Sequence, residues 1–273
     1  MSAVLEVKNL SVTLNSGAQE KILLRSLNFS VRQGEVLGIL GQSGSGKSLT
    51  SLALAGLLPS GMTSRGSILF FGQEINGIAE RELVKIRGKI SIVFQEPSAA
   101  LDPLMRLGKQ IALPLKKHAG LRGAALKEAV YSLLREVKLT GIPRVAHSYP
   151  HEVSGGQRQR AAVALALAPR PRLLVADEPT SALDARTQVK LAELIAGEAR
   201  TRRMAVIFIS HDIGVLAKIS DNIIVMKDGR IVEAAPAPQL LSAPKHPYSK
   251  LLIESALSLE EPLSCIIQTK EAF

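Results

Sequence analysis

The sequence predicts an α/β fold built on a mostly parallel sheet. Three observations carry that prediction. Short, almost wholly apolar runs such as "EVLGIL", "RLLVADE" and "AVIFISH" read as strands buried on both faces. Helical runs such as "ARTQVKLAELIAGEA" and "IGVLAKI" alternate with them. The first strand also runs straight into "GQSGSGKS" and a helical pattern follows, which is the strand–loop–helix order of a phosphate-binding turn.

In chain order, "LEVKNLSVTL" and "LNFSVR" alternate apolar with polar residues and read as strands, with "GAQEK" between them as a turn. "EVLGIL" enters the loop of Gly41, Gln42, Ser43, Gly44, Ser45, Gly46, Lys47 and Ser48; "SLTSLALAGLL" continues as a helix expected to stop near Pro59. "GSILFFG" and "ISIVFQ" are further strands. Residues 104–146 turn helical, and "ALKEAVYSLLREVKL" sets Leu126, Val130, Leu133, Leu134 and Val137 on one stripe. Residues 97–160 are therefore expected to form a helical insertion. The α/β alternation then resumes. "NIIVMKDGRIVEAA" reads as a hairpin turning at "KDG", and helical pieces over 238–256 close the pattern.

Bulk composition narrows the function classes. The net charge of +10 comes from scattered residues, and the densest basic cluster, Arg200, Arg202 and Arg203, reads as solvated surface. Aromatics make up 3% with no Trp, which argues against base-stacking platforms for nucleic acid. The single cysteine, Cys265, excludes a disulfide framework and fits a reduced compartment. "MSAVLEVKNL" carries Glu6 and Lys8 where a signal peptide needs an apolar core. The longest uncharged stretch, 48–64, contains Pro59 and Gly61 and is too short to span a bilayer, so any membrane spans are expected from another chain.

The chemistry concentrates at strand ends. Residues 41–48 fit G-x-x-x-x-G-K-[ST]: the loop's N–H groups face phosphate oxygens, Lys47 reaches the β and γ phosphates, and the Ser48 hydroxyl suits Mg²⁺. "RLLVADEP" places Asp177 and Glu178 at a strand's C-terminal edge, where ligands bind in open α/β sheets. Asp177 suits the metal and Glu178 suits a water that attacks phosphorus. Gln95 and His211 end "ISIVFQ" and "AVIFISH" and can face the same crevice, Gln95 toward Mg²⁺ and water, His211 toward the γ-phosphate. His118, His147, His151 and His246 lack metal-ligand spacing. "VSGGQ" places Ser154 as the cap of a helix starting near Gln157, with Gly155 and Gly156 opening the backbone to an anion.

In this order "GQSGSGKS", Gln95, "VSGGQ", "RLLVADEP", "SALD" and His211 resemble the nucleotide-binding domain of ABC ATPases, with Val153 where Leu is most usual. The resemblance covers about residues 5–256. It implies a P-loop ABC-type domain over 1–256, with a mostly parallel sheet core, an antiparallel β subdomain, a helical subdomain at about 97–160 and a short tail at 257–273. It implies ATP and Mg²⁺ as cofactors, with Leu49 joining the loop residues around the nucleotide. It further implies two copies paired head to tail, each lending the Ser154 region to the other's ATP, with Asp184 communicating across the pair. Such domains stack adenine on an aromatic just after the first strand. Here "SVTLNSG" offers none, and Leu14 is the nearest apolar residue.

Three classes compete: a transporter ATPase, an ABC ATPase acting on nucleic acid, and an unrelated P-loop kinase or GTPase. A kinase or GTPase has no use for the "VSGGQ" and "SALD" pair. Nucleic-acid ABC ATPases carry long coiled coils, zinc modules or two domains, whereas the insertion here is short and without cysteine. The transporter subunit leads. "FQEPSAALDPLMRLGKQI" and "APKHPYSKLL" look like importers of peptides or nickel. The cysteine-rich segment of many peptide importers is reduced here to Cys265, so peptide, nickel or metal-chelate cargo all stay open. The implied partners are two membrane-spanning permease subunits, a second ATP-binding subunit and, indirectly, a solute-binding protein. The implied location is the cytoplasmic face of the membrane. Residues 96–106, with Leu101, Leu104 and Met105, are expected to receive a short helix of the membrane subunit.

Overall fold

The computed structural model of the protein describes residues 3–16, 19–96, 100–180 and 183–259. Cys265 and Ser181 lie outside them, as do Pro97, Ser98 and Ala99 of the expected docking segment. β1 (Ala3–Ser16) and β2 (Gln19–Arg32) form a long antiparallel pair. In β1 the buried side chains switch from Leu5 and Val7 to Leu10 and Val12. A strict two-residue period cannot hold both pairs on one face, so the register shifts between Val7 and Leu10. Asn9 takes φ 51° there, a left-handed conformation that Asn tolerates. β2 starts at Gln19, eight residues ahead of the "LNFSVR" strand expected from alternation, and takes up most of the expected "GAQEK" turn. Pairing with β1 supplies what "QEKILLR" lacks in period.

β3 (Val36–Leu40) leads into the glycine loop and α1 (Lys47–Leu54). That helix ends ahead of Gly56, earlier than the expected stop near Pro59. β4 (Met62–Phe70) and β5 (Gln73–Glu74) complete a four-stranded antiparallel sheet ordered β2-β1-β4-β5. α2 (Glu80–Arg87), "ERELVKIR", was not expected from the apolar pattern, because only Leu83 and Ile86 are buried. Its charges are the legible signal: Glu80 and Glu82 in the first turn, Lys85 and Arg87 in the last, each complementing the helix dipole.

After β6 (Ile90–Val93) come α3 (Leu107–Ala119), α4 (Gly123–Glu136), α5 (Ile142–His147), a 3₁₀ turn at Pro150–Glu152 and α6 (Gly155–Leu167). Residue 160 thus lies inside a helix. Val130, Leu133, Leu134 and Val137 are buried, as the stripe predicts, with Leu126 packed at its edge. β7 (Leu173–Asp177), α7 (Ala185–Arg202), β8 (Ala205–Ser210), α8 (Ile213–Ile219), β9 (Asn222–Lys227) and β10 (Arg230–Pro236) restore the alternation. α9 (Ala237–Ser242) and α10 (Pro247–Leu259) follow.

The second sheet runs β10-β9-β3-β8-β7-β6 and is parallel except at β10. Its central strands are buried on both faces, which their unbroken apolar runs required. Leu174, Ala176, Val206 and Phe208 face the helices, while Leu173, Val175, Ala205, Ile207 and Ile209 face the core shared with Leu5, Leu10, Leu24 and Leu27. This period-two division joins the antiparallel sheet to the helical layers through one sheet. The arginine cluster is not simply solvated: Arg202 bonds Glu198 at 2.6 Å and also Glu136, tying α7 to α4.

Candidate active site

The C-terminal ends of β3, β6, β7 and β8 converge on one cleft of about 740 Å³. Its lining comes from loop residues 42–44 and 46–49 together with Leu23, Gln95, Glu178 and His211. The loop leaves β3 at Leu40 and enters α1 at Lys47. Gly46 sits at φ 102°, where a side chain is strained and an added Cβ would come within 2.6 Å of Leu24 Cδ2. This turn points the first N–H groups of α1 into the cleft.

Lys47 lies beneath that turn, 5% exposed. Its Nζ donates to the carbonyls of Gly41 (2.8 Å) and Gln42 (2.9 Å) and stands 4.0 Å from Glu178 Oε1. Burial pushes the Lys47 ammonium below the usual lysine value, against the opposite pull of Glu178 and Asp177. Asp177 ends β7. Its Oδ1 accepts the Ser48 hydroxyl at 3.1 Å and its Oδ2 the Ser51 hydroxyl at 3.2 Å. Burial pushes the Asp177 carboxyl up, the two serines pull it back, Glu178 adds to the rise and Lys47 opposes it. Ser51 escaped the sequence reading, although its i+3 spacing from Ser48 on a helix was the available signal.

Glu178 follows the strand at φ 44°, its N–H donating to Ile209 O on β8 at 3.0 Å. Its Oε2 accepts Gln95 Nε2 at 3.3 Å and lies 3.2 Å from His211 Nδ1. Gln95 does not end its strand: β6 stops at Val93, and Gln95 reaches the carboxylate from the bend beyond. His211 directly follows β8. Leu23 on β2 lines the cleft from the antiparallel sheet, and Leu14 does not. Leu14 pairs with Lys21 and Met62 in the antiparallel sheet. The longer β2 is what brings Leu23 there.

Ser154, Gly155, Gly156 and Gln157 do not line this cleft, nor does Asp184. Ser154 caps α6, which starts at Gly155, two residues before the expected Gln157. Its hydroxyl accepts Gln157 N–H at 3.3 Å, and its own N–H donates to Gln157 Oε1 at 3.1 Å, a reciprocal capping box. Ser154 and Gly155 are exposed. Asp184 caps α7 by accepting Thr187 N–H at 3.1 Å, and the hydrogen bonds of Thr187 hold its carboxyl below the usual value. These two capped ends are neighbours, since a Cβ on Gly156 would sit 3.6 Å from the Leu183 side chain. Buried Gln159 on α6 donates to the Pro179 carbonyl, linking this second anion nest to the chain leaving Glu178.

The cleft joins a phosphate-loop turn with a buried cation, a hydroxyl–carboxylate pair and a second carboxylate held by an amide and an imidazole. Such a set can bind a polyphosphate and position a water against it. The family model described as ABC transporter matches residues 24–181. The chain is 41% identical over 266 residues to the oligopeptide transport ATP-binding protein OppD of Bacillus subtilis, spanning 95% of this chain and 74% of that protein. It is 42% identical over 260 residues to OppD of Salmonella typhimurium, spanning 95% and 78%. A dimeric structure of the ATP-binding cassette MJ0796 in a post-hydrolysis state with ADP and Pi superposes with TM-score 0.77 at 30% identity, covering 85% of this chain and 98% of that one.

Proposed function

Because the chain belongs to the ABC transporter family and so binds and hydrolyses ATP, we propose that it is the ATP-hydrolysing subunit of a membrane importer for peptides. Of the cargoes the sequence leaves open, peptides have the support of the relatives named for oligopeptide transport. One observation carries the enzymatic part: Lys47, Ser48, Gln95, Glu178 and His211 meet in one cleft, with Asp177 hydrogen-bonded to Ser48.

In this reading the loop N–H groups hold the phosphates, and the Lys47 ammonium, two of whose N–H groups bond the Gly41 and Gln42 carbonyls, gives its third to a phosphate oxygen. Ser48 and Asp177 present hard oxygen donors 3.1 Å apart, which suits Mg²⁺, and Gln95 lines the same cleft as Ser48. When bound, Mg²⁺ neutralises phosphate charge and fixes the geometry of transfer. Glu178 takes the proton of the attacking water on its carboxylate, held in place by Gln95 Nε2 and His211.

The exposed Ser154–Gly155 cap, lying outside the chain's own cleft, serves the ATP of a second ATP-binding subunit paired head to tail. Asp184, beside it, carries the state of one site to the other. The chain acts as one nucleotide-binding domain that runs to the end of α10 at Leu259, past the expected boundary at 256, which falls inside that helix. Among the described residues no helix is long and apolar enough to cross a membrane, so we assign the spans to two permease subunits and the chain to the membrane periphery. A solute-binding protein would deliver the cargo.

The docking surface follows from exposure. Leu104 is 87% exposed and Met105 partly exposed, whereas Leu101, expected to join them, is buried in the core. Gln110 pins this loop through the Asp102 and Met105 carbonyls. Changing Leu104→Asp with Met105→Asp should release the chain from membranes and stop oligopeptide uptake while basal ATP hydrolysis survives. Membrane association and uptake at wild-type levels would contradict the assignment.

A further inference from the structure

The His246-Pro247-Tyr248 stretch is absent from the chemistry above, yet its tyrosine reaches the phosphate loop. Glu233 on β10 accepts the N–H groups of Lys245 (2.8 Å) and His246 (2.9 Å), fixing the turn into α10. At the start of that helix Tyr248 N–H donates to His246 Nδ1 at 3.1 Å. The Tyr248 ring is 8% exposed and lies under Lys227, whose Nζ is 4.8 Å from the ring centroid. The ring so held carries its hydroxyl to Gln42, whose N–H donates to Tyr248 Oη at 3.3 Å.

Gln42 is thereby held at both of its peptide groups. Its carbonyl accepts Lys47 Nζ at 2.9 Å and Ser45 N–H at 3.2 Å. The hairpin that carries Lys227 braces the same loop. Gly229 N–H donates to Ser45 O at 3.0 Å, and Met226 O lies 2.5 Å from where a Cβ on Gly41 would be. The tyrosine hydroxyl is a side-chain brace that comes from 206 residues along the chain.

We propose that Tyr248 is a positioning residue for ATP binding: its hydroxyl fixes the Gln42 peptide and, through the Gln42 carbonyl, the ammonium of Lys47. The C-terminal helix thereby sets how the phosphate loop presents its cation to the triphosphate. The inference rests on the proposed role of the Lys47 loop as the ATP cradle. A loosened Gln42 peptide costs binding, because the loop must then be ordered when phosphate arrives. It leaves the Glu178 chemistry untouched once ATP is seated, so the effect falls on KM and not on kcat.

The test measures ATP affinity with a fluorescent ATP analogue, steady-state hydrolysis and melting temperature on the full chain. Tyr248→Phe keeps the ring and removes only the hydroxyl. Loss of one net hydrogen bond predicts a rise of about three- to tenfold in both Kd and KM, with kcat held within about twofold. The melting temperature without nucleotide should fall by no more than about 2–4 °C, the cost of one hydrogen bond in a chain of this size. Lys227→Met, which removes the cation over the ring and leaves the hydroxyl in place, should raise KM by less than Tyr248→Phe does. Unchanged affinity in Tyr248→Phe, a fall in kcat at constant KM, an affinity loss accompanied by a larger drop in melting temperature than one hydrogen bond explains, or an equal loss in Lys227→Met would each overturn the proposal. Lys47→Ala tests the premise separately: wild-type ATP affinity in that variant would show the cradle to be misassigned, whereas its loss beside an unaffected Tyr248→Phe would refute the brace alone.

Discussion

Glu178 occupies the left-handed region at φ 44°, a conformation that costs a non-glycine residue about 1–3 kcal/mol and persists only where its surroundings hold it. Here the Ile209 carbonyl holds its N–H, and Gln95 and His211 hold its carboxylate. That investment in orientation fits a base aimed at one water. Glu178→Gln keeps the shape and removes the base, so turnover should fall about 10²–10⁴-fold with ATP binding retained; single-turnover hydrolysis beside equilibrium binding checks this. That Lys47, Ser48, Asp177 and Glu178 meet at one edge of the sheet was legible in the sequence because each pair is adjacent at the end of an apolar strand, Lys47 and Ser48 after β3 and Asp177 and Glu178 at the end of β7. Ser51, Leu23 and Tyr248 were not. Each reaches the site from a helix turn, a lengthened strand or a distant segment, and nothing in its local sequence names the group it meets.

Among the elements, alternation and apolar runs sufficed where packing follows period, as in β3, β7, β8 and the stripe of α4. They failed where charges or pairing decide. α2 buries two residues and is written in its terminal charges, and the first part of β2 is a strand because β1 is its partner. α10 depends on one carboxylate. Burial pushes the Glu233 carboxyl up, but the neighbouring Ser249 hydroxyl and the hydrogen bonds from the N–H groups of Lys245 and His246 outweigh it, so its pKa lies below the usual value. A carboxyl lowered in this way contributes stability that is present above its unfolded pKa and lost as the pH falls through the folded one. Glu233→Gln should lower the melting temperature by about 2–4 °C at neutral pH. The variant and the wild type should converge as the pH drops below about 4. A pH-independent gap would remove Glu233 from this role.

At the scale of the whole molecule, the topology separates two anion nests that the sequence places about a hundred residues apart. One sits at the C-terminal edge of the parallel sheet, with Gln95, Glu178 and His211 around it. The other, at the start of α6, is capped, exposed and outside that cleft. Gln159 ties the second nest to the peptide that follows Glu178, so a change at either end bears on the other. The order of motifs made the nests legible, but only the fold shows that they do not meet within one chain. In the proposed pairing, two chains set head to tail join them. The most direct measurement is ATP affinity and hydrolysis by Ser154→Arg, whose side chain would obstruct a partner's nucleotide. The account predicts that hydrolysis is abolished while the affinity of the isolated chain for ATP stays within about twofold of wild type. A large loss of that affinity would mean that the Ser154 nest serves its own nucleotide, and would contradict the shared site.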